Sequence, residues 1–344
     1  MTRMVHLLDD FGMGGVTRAL SLFEDARFAP LARSETLCAG WSVGAAPRLD
    51  ADIIVLHMPA SWRRLAYLMA LRLRNPDARI VQVEHSYTRA FESGRVRSRS
   101  RFRALLRIAA RAVDEVIAVS DAQRQWLAEV GIPEEKLDAI NPWCGRDELY
   151  AVPDLQPREG PIKLLAYGRF AREKNFAALV EAMGCFGEDE AGLTLVGAGP
   201  EEAALTALAA RLPNVRMLPA TNDIAAHLAA CDAVVVPSHY EAFGLVATEA
   251  RMAGRPLLVA DVDGLPAQTR CGAGFAAPAH CSADIAGGIL GLLAGDLPAM
   301  GRAARAGVAN QHDAIIAGWR AVIERAAAPV NPAADGPAAT AVST

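Results

Sequence analysis

Short apolar runs alternate with amphipathic, helix-period segments along almost the whole chain. This alternation predicts repeated strand–helix units, which build parallel sheets covered by helices. The first half has candidate strands at residues 5–8, 53–57, 79–84 and 115–119. The second half has them at residues 163–166, 193–196, 215–218, 233–236 and 256–260. We therefore expect an α/β protein with two doubly wound parallel sheets.

A proline-rich segment separates the two sets of strands. Residues 150–161 contain three prolines among polar residues, a composition typical of a linker. The length of 344 residues also exceeds what one hydrophobic core usually organises. We expect domains at residues 1–153 and 154–310 and a helix at 311–328. Residues 329–344 are mostly small or polar, which predicts a disordered tail.

The composition narrows the class of protein. A net charge of −4 gives no general reason to expect nucleic acid as a partner. Acidic residues stand early in the N-terminal segment, where a signal peptide needs its apolar core, and no apolar run reaches the roughly 18 to 20 residues of a membrane span. We expect a cytoplasmic protein that is at most peripheral on the inner face of the plasma membrane.

The six cysteines are far apart, without a pair or a His/Cys cluster at zinc-ligand spacing. We interpret them as small buried hydrophobic residues in a reducing compartment. His280, Cys281 and Cys271 are a weaker alternative as a metal site, because a fourth ligand is missing.

Ligands of open α/β sheets bind at the carboxyl ends of the strands, so the loops that follow the strands are the places to search. After the strand at 163–166, Arg169 and Lys174 fall in one strand-to-helix turn. Two fixed cations can flank a diphosphate through charge-assisted hydrogen bonds. A solvated basic loop is the favoured explanation of this segment when it is taken alone.

The loop after the strand at 233–236 carries two acids and a helix start. Glu241 lies in the loop, while the free amides of Gly244 and Leu245 open a helix and favour an anion. In one continuous helix Glu241 and Glu249 would be about 12 Å apart along the axis, but a loop lets them reach opposite ends of one ligand. A diphosphate repels carboxylates, so each should accept hydrogen bonds from hydroxyls, one from a sugar and one from a ribose. Glu249 alone is also compatible with an ordinary early-helix glutamate.

Two further loops are rich in glycine. The turn that begins at Gly197 lacks the last glycine of the dinucleotide motif Gly-x-Gly-x-x-Gly. Near the N-terminus, Gly12, Gly14 and Gly15 let a phosphate or the opposing domain approach the backbone closely. No acid closes the following strand at the spacing of an NAD ribose site, which argues against an NAD enzyme.

Four motifs of the second domain stand in a shared order and spacing. They are Gly168-Arg169 with Lys174, Leu195-Val196-Gly197-x-Gly199-Pro200, Pro237-Ser238-x-x-Glu241-x-Phe243-Gly244-Leu245 and Glu249-Ala250-x-x-Ala253-Gly254-x-Pro256. In this arrangement the chain resembles the retaining glycosyltransferases of the GT-B fold, family 4. The resemblance implies two facing Rossmann-like domains, with the nucleotide sugar on the second and the acceptor on the first. It also implies that the C-terminal helix crosses back onto the first domain.

The same resemblance assigns roles to individual residues. Arg169 and Lys174 would neutralise the departing diphosphate, while Glu241 contacts the transferred sugar and Glu249 the ribose. His85, which alone reads as a core histidine, takes the place of the active-site histidine near the sugar. The implied catalytic residues are Glu241, His85, Arg169 and Lys174. The implied donor-binding residues are Gly14, Gly15, Gly168, Arg169, Lys174, Gly197, Phe243, Gly244, Leu245 and Glu249.

No metal or other cofactor is expected. The two cations and the helix-start amides supply positive charge where the leaving group becomes negative. Asp261 and Asp263 form an Asp-x-Asp triplet that ligates a divalent metal in another glycosyltransferase fold, but here it follows the glutamate motif far along the second domain. We therefore expect a nucleotide-diphosphate sugar as co-substrate and no metal site.

Residues 89–111 form a basic segment with eight arginines against the single acid Glu92. Apolar residues interleave at helical spacing in its second part, which favours an amphipathic element resting on anionic lipid. A solvated helix face with a flexible loop is the alternative. The membrane contacts would be Arg95, Arg97, Arg99, Arg101, Arg103 and Arg107.

These observations predict a retaining, metal-independent hexosyltransferase that acts in polysaccharide or glycolipid biosynthesis. It would move a hexose from a nucleotide-diphosphate sugar to a saccharide or lipid-linked acceptor. Two alternatives stay open. One is a non-catalytic GT-B partner that binds sugar nucleotides, and the other is a sugar-nucleotide epimerase or phosphorylase on the same fold.

Overall fold

The computed structural model describes residues 1–9, 14–157 and 159–327. This described part contains two six-stranded sheets in which every recorded strand pair is parallel. The first sheet consists of β1 (Thr2–Leu8), β2 (Ala32–Cys38), β3 (Ile53–Leu56), β4 (Arg79–Glu84), β5 (Glu115–Ala118) and β6 (Leu137–Ala139), in the order β2-β1-β3-β4-β5-β6. The second consists of β7 (Ile162–Arg169), β8 (Ala191–Ala198), β9 (Val215–Pro219), β10 (Ala233–Val236), β11 (Leu257–Ala260) and β12 (Gly274–Ala277), in the order β12-β11-β10-β7-β8-β9.

Helices connect successive strands and cover the sheets. Those of the first half are α1 (Gly15–Ala19), α2 (Leu65–Arg74), α3 (Arg89–Arg95), α4 (Arg99–Arg111) and α5 (Asp121–Val130). Those of the second half are α6 (Phe176–Ala182), α7 (Glu202–Ala209), α8 (Ile224–Ala230), α9 (Leu245–Met252), α10 (Ser282–Leu293), α11 (Leu297–Ala306) and α12 (Gln311–Ala327). The predicted α/β class with two doubly wound sheets is confirmed.

All nine predicted strands are present, and three further strands complete the sheets. The three that the sequence did not reveal, β2, β6 and β12, each lie at the edge of a sheet. Ala32 is the only buried residue of β2, Leu137 is the only one of β6, and β12 has none. An edge strand with little burial lacks the apolar run that marks an interior strand.

The C-terminal helix α12 packs on the first domain. Its buried residues Ile315, Trp319 and Val322 lie in one apolar cluster with Phe23 and Phe28. The rings of Trp319 and Phe23 meet edge to face, with centroids 5.1 Å apart. At the end of the helix, Arg325 pairs with Glu115 and Asp138 of the first domain. The helix therefore crosses back, as the resemblance implied. The predicted disordered tail at 329–344 lies outside the described residues.

The linker is held against the second domain. Arg255 donates to the carbonyl of Pro153 at 3.1 Å, and Arg305 donates to the carbonyl of Val152 and the carboxylate of Asp154, both at 2.6 Å. The predicted boundary at 153/154 thus falls between the two sheets, in a segment with fixed hydrogen-bond partners.

The six cysteines differ in burial. Cys144 and Cys231 are buried, but the prediction of burial is wrong for Cys38, Cys185, Cys271 and Cys281, which are exposed at strand or helix ends and turns.

Within the described ranges no single helix is long and apolar enough to cross a membrane. One pair, Ser282–Leu293 with Leu297–Ala327, reaches that length and composition only together, across a 98° bend.

Candidate functional site

Loops at the carboxyl ends of both sheets meet where the first domain faces the start of α9. A Cβ atom added at Gly15 would lie 3.1 Å from Cδ1 of Leu245, so the glycine loop of the first domain abuts the first residue of that helix. Gly14 precedes α1 in an extended conformation. The structure thus places Gly15 at the helix start of the second domain, with Gly14 directly before it, and a side chain at Gly15 would crowd this approach. That the two glycines bind the donor stays a prediction.

The start of α9 depends on an unusual glycine. Gly244 has φ +92°, in the left-handed region that favours glycine, and an added Cβ would lie 2.6 Å from the side chain of Leu265. Its carbonyl accepts from the amides of Ala247 and Thr248, which begins the helical hydrogen bonds. The earlier amides point along the axis toward the cleft, where an anion is favoured.

Glu241 and Lys174 form an ion pair beside this helix start. Lys174 Nζ donates to Glu241 Oε2 at 2.5 Å, and Ser238 Oγ donates to the same oxygen at 3.5 Å. Burial alone would lower the pKa of Lys174, but the Glu241 carboxylate outweighs it and the pKa is raised. The lysine is therefore charged, although the sequence had suggested a partner in the ligand rather than in Glu241.

Arg169 ends β7 and is exposed, and the parts of the chain described here provide no hydrogen bond or ion pair to its side chain. Gly168 precedes it with φ +137°, and a Cβ there would meet nothing within 4 Å. Gly197 of β8 is closely packed instead, since its Cβ would lie 2.0 Å from the carbonyl oxygen of Gly168. Close packing against Gly168 thus explains why residue 197 is a glycine. Its predicted contact with a donor stays a prediction.

Phe243 also packs inward. Only 7% of its surface is exposed, and it lies in the apolar cluster that joins α12 to the first domain. Its neighbours are therefore core side chains, and its donor-binding role stays a prediction. The position does bring the loop before α9 against the first domain.

Glu249 is buried in α9 and receives partners from both domains. Arg18 of α1 donates to Oε1, and Tyr167 OH donates to Oε2 at 2.8 Å. Arg146 Nε lies 3.7 Å from Oε1. Burial raises the pKa of Glu249, while Arg18 and the Tyr167 hydroxyl act in the opposite direction. A buried carboxylate with two cations is typical of a binding site rather than of a helix surface.

The sequence did not reveal Arg18, Arg146 or Tyr167 as site residues. Tyr167 directly precedes the Gly168-Arg169 motif, and Arg18 follows the glycine loop by one helical turn, so proximity to a motif was an available indication. Their convergence on Glu249 depends on how the two domains face each other, which no local pattern encodes.

His85 follows β4 directly and contacts a second histidine. His85 Nε2 lies 3.0 Å from Nδ1 of His57, and His57 Nε2 lies 3.0 Å from Nδ1 of His6. His6 lies in β1 and His57 follows β3, so the three side chains come from neighbouring strands of one sheet. Burial lowers the pKa of His6 to about 3 and that of His85 to about 4, so these rings are neutral at neutral pH.

Asp263 joins the domains instead of standing in an open metal site. Its Oδ1 accepts from the amide of Ala90 at 3.0 Å and its Oδ2 from the amide of Glu241 at 3.1 Å. Over the described ranges, no group of three or more His, Cys, Asp or Glu residues is arranged to hold a metal ion. Metal-independent chemistry stays a prediction.

The basic segment forms α3 and α4 on the first domain. Arg95, Arg97, Arg99, Arg101 and Arg107 are exposed. Arg103 differs, because its Nε and Nη2 donate to the buried carboxylate of Glu92 at 2.6 and 2.9 Å. Arg103 therefore has a structural partner, and the predicted membrane contact is available to the other five.

Glu84 shapes the loop that carries His85. Its buried Oε1 accepts from the amides of Ser86 and Tyr87 at 2.8 and 3.0 Å. Burial raises the pKa of this carboxyl from 4.5 to about 7 against those two amides. Between these values the folded state holds more protons than the unfolded state, so the contribution of Glu84 to the free energy of unfolding falls as the pH rises.

Glu84→Gln should remove this dependence, because the amide oxygen keeps the two backbone contacts without ionising. From pH 4.5 to 8, the free energy of unfolding of the variant should rise relative to the unaltered protein by up to about 3 kcal/mol. Urea unfolding over this range measures it. The exposed Glu188→Gln is the control, and parallel pH profiles for E84Q and the unaltered protein would contradict the assignment.

Two family models match the chain. The model "Glycosyl transferases group 1" matches residues 151–307, and "Glycosyltransferase Family 4" matches residues 28–144. The two matches fall on the second and first sheets respectively, on either side of the linker.

Known proteins resemble the chain over different lengths. It is 30% identical over 259 residues to the phosphatidyl-myo-inositol mannosyltransferase of Mycobacterium leprae, covering 72% of this chain and 66% of the relative. It is 35% identical over 150 residues to the glycogen synthase of Mycobacterium tuberculosis, covering 40% of this chain and about a third (33%) of that relative. A crystal structure of Anabaena Alr3699/HepE in complex with UDP and glucose superposes with a TM-score of 0.71 at 19% identity, covering 95% of this chain and 100% of that one.

Proposed function

Since the chain belongs to the group 1 glycosyltransferases and has the GT-B fold, we propose that it is a retaining, metal-independent hexosyltransferase. It takes a hexose from a nucleotide-diphosphate sugar and passes it to a saccharide or lipid-linked acceptor in polysaccharide or glycolipid synthesis. No cofactor besides the donor is required. Nucleic acid is not among its partners.

The observation that carries the proposal is the arrangement around the start of α9. The charged pair of Lys174 and Glu241 lies on one side of the helix start, and the buried Glu249 lies one to two turns along the helix. Gly15 closes the approach from the first domain. Cation, helix start and two separate carboxylates match the phosphates, sugar hydroxyls and ribose hydroxyls of one extended ligand. The UDP and glucose bound by Alr3699/HepE are ligands of this kind.

The chemistry follows from where charge develops. When the bond between sugar and diphosphate breaks, negative charge grows on the leaving phosphate oxygen. Arg169 and Lys174, together with the amides at the start of α9, neutralise that charge. Glu241 then accepts a hydrogen bond from a sugar hydroxyl. The acceptor hydroxyl attacks from the face that the diphosphate leaves, and its proton passes to the departing phosphate oxygen. The configuration at the sugar carbon is retained.

Glu249 accepts the ribose hydroxyls in this proposal. An ionised carboxylate accepts hydrogen bonds at both oxygens, whereas a protonated one has an O–H group that donates. Arg18 and the Tyr167 hydroxyl favour the ionised form against the burial that raises its pKa. Arg18 is therefore both a partner of Glu249 and a group that the ribose must displace or share.

Nucleotide binding is the first experiment. Diphosphate sugars of uridine, guanosine and adenosine are added to the protein, and the melting temperature is recorded. A ligand at a hundred times its Kd should add about 2.7 kcal/mol of stability. Nucleotide release that depends on an added acceptor then supports transfer. Sugar release without an acceptor would favour a hydrolytic or phosphorolytic enzyme, and no stabilisation by any nucleotide diphosphate would contradict the proposal.

For the acceptor side, we propose that α3 and α4 rest on the anionic inner leaflet of the plasma membrane. The exposed arginines of this segment support it, as does the phosphatidyl-myo-inositol in the name of the mycobacterial mannosyltransferase. Each near-surface arginine contributes about 1 kcal/mol to binding an anionic surface. The protein would then be cytoplasmic and peripheral.

Replacing Arg97, Arg99 and Arg101 together by glutamine should weaken binding to vesicles with anionic lipid by about 100-fold at low salt, since roughly 3 kcal/mol is lost. Vesicle flotation measures the bound fraction. The control removes the same charge from exposed positions of the second domain, namely Arg211, Arg216 and Arg302. Equal binding to neutral and anionic vesicles by the unaltered protein would reject the membrane contact.

A further inference from the structure

Three histidines form a continuous hydrogen-bonded row from the core of the first domain to the carboxyl end of β4. The row runs His6–His57–His85, with both nitrogen-to-nitrogen distances at 3.0 Å. Adjacent rings are inclined to each other by 30° and 22°, with centroids 5.2 and 5.3 Å apart. His6 and His57 are buried, while His85, at the carboxyl end of β4, is half-buried.

The row couples the tautomers of its members. A neutral imidazole has one N–H donor and one acceptor nitrogen, so His57 must donate to one neighbour and accept from the other. If His57 donates to His85, then His6 donates to His57, and each ring carries its proton on Nδ1. If the direction is reversed, each ring carries it on Nε2. The state of His85 is therefore set by the far end of the row.

The buried end favours one direction. His6 Nε2 is buried without a hydrogen-bond partner in the described structure. In the reversed direction this atom would be an N–H group, and buried N–H groups without an acceptor are rare. The nearby ring of Phe23, 4.1 Å away between centroids, offers such a group only a weak acceptor. An unpaired acceptor nitrogen at His6 Nε2 costs less free energy than an unpaired N–H group at the same atom. The protons therefore lie on Nδ1 throughout the row.

We propose that His6 and His57 are positioning residues that hold His85 as its Nδ1–H tautomer, so that His85 meets the substrate as a hydrogen-bond donor. Its Nε2 is occupied by His57 and unavailable to a ligand. The free position is Nδ1–H, which donates to a hydroxyl or leaving-group oxygen and does not remove a proton. His85 thus orients or stabilises oxygen in the cleft, in support of the transferase function proposed above.

The neighbouring Glu84 is consistent with this arrangement. Its carboxyl accepts the amides of Ser86 and Tyr87, which fixes the loop immediately after His85. The His85 ring is thereby held from two sides, by its own backbone and by His57. A donor that is fixed before the substrate arrives costs little reorganisation during the reaction.

The test begins with the unaltered protein labelled with ¹⁵N in histidine. Long-range ¹H–¹⁵N spectra distinguish the protonated ring nitrogen of each histidine. Nδ1–H forms of His6, His57 and His85 are the expected result. An Nε2–H form of His85 would overturn the proposal, whatever activity the enzyme has, and this measurement needs no variant to fold.

Two variants at His57 then separate positioning from packing. In His57→Gln the side-chain oxygen can accept from His6 and the amide can donate to His85, so His85 should stay Nδ1–H and kcat should fall by less than about threefold. In His57→Leu neither bond exists, so His85 should shift toward Nε2–H and kcat should fall by about tenfold, with the KM of the donor changed far less. An Nδ1–H form of His85 in the leucine variant would show that the row does not set the tautomer.

The outcome is distinguishable from failure of the proposed function. If no nucleotide diphosphate stabilises the protein but His85 is Nδ1–H in the unaltered chain and not in His57→Leu, the positioning stands and the transferase assignment fails. If nucleotides bind and transfer occurs while both variants retain the Nδ1–H form of His85, the transferase assignment stands and the positioning role of His57 fails.

Discussion

Replacing Lys174 by methionine should lower kcat by about 100- to 1000-fold, the range seen when one preorganised stabilising donor is removed from an active site. Lys174 is charged through its pair with Glu241 at 2.5 Å, and it lies in the turn that faces the helix start. Its loss removes positive charge where the diphosphate departs. It also leaves the Glu241 carboxylate without its cation, which adds repulsion toward the diphosphate.

Steady-state kinetics with a fixed acceptor measure this effect. Lys163→Met is the matched control, because Lys163 is exposed near the start of β7, whose other end leads into the turn that carries Lys174. The control should keep kcat within about twofold, since surface substitutions away from a site have small effects. If both lysine variants retained full kcat, Lys174 would have no part in neutralising the leaving group.

Glu249→Gln should raise the Kd of the free nucleoside diphosphate by about 10- to 100-fold. Hydrogen bonds to a charged group are each worth about 1.5 to 3 kcal/mol, and glutamine cannot accept at both positions. Because Glu249 is assigned to the ribose, the loss should be equal for the nucleoside diphosphate and for its sugar conjugate. Isothermal titration with both ligands measures it.

Glu241→Gln provides the contrast within the same site. Since Glu241 is assigned to the sugar, this variant should bind the nucleoside diphosphate as the unaltered protein does and lose affinity only for the sugar conjugate. Glu148→Gln, an exposed acid near Arg146, controls for net charge. Equal losses for both ligands in the Glu241 variant would mean that the two carboxylates do not divide sugar and ribose between them.

The interior strands of both sheets could be predicted from the sequence, whereas three of the four edge strands could not. β3, β5, β10 and β11 are buried at every residue and appear as continuous apolar runs, apart from Glu115 at the start of β5. β2 and β12 pair on one side only and show mixed exposure, so their residues carry no such run. Among the edge strands only β9 was predicted, because Val215, Met217 and Leu218 make it largely apolar.

The residues of the candidate site also divide into those that the sequence indicated and those that it did not. Lys174, Glu241 and Glu249 were found because one domain supplies them within short motifs of fixed spacing. Arg18 and the histidine row were not found, because their contacts join segments that are distant in sequence. The pairing of Lys174 with Glu241 is likewise a matter of side-chain reach across two loops, which spacing along the chain does not determine.

The packing of α12 defines what counts as a folding unit. The chain leaves the first sheet near residue 150, builds the second, and returns at Gln311 to cover Phe23 and Phe28. A fragment cut at the linker would expose that apolar face to water and leave Glu115 without Arg325. The N-terminal unit is therefore discontinuous in sequence, and a circular permutation or a fusion that expresses it separately must carry residues 311–327 with it.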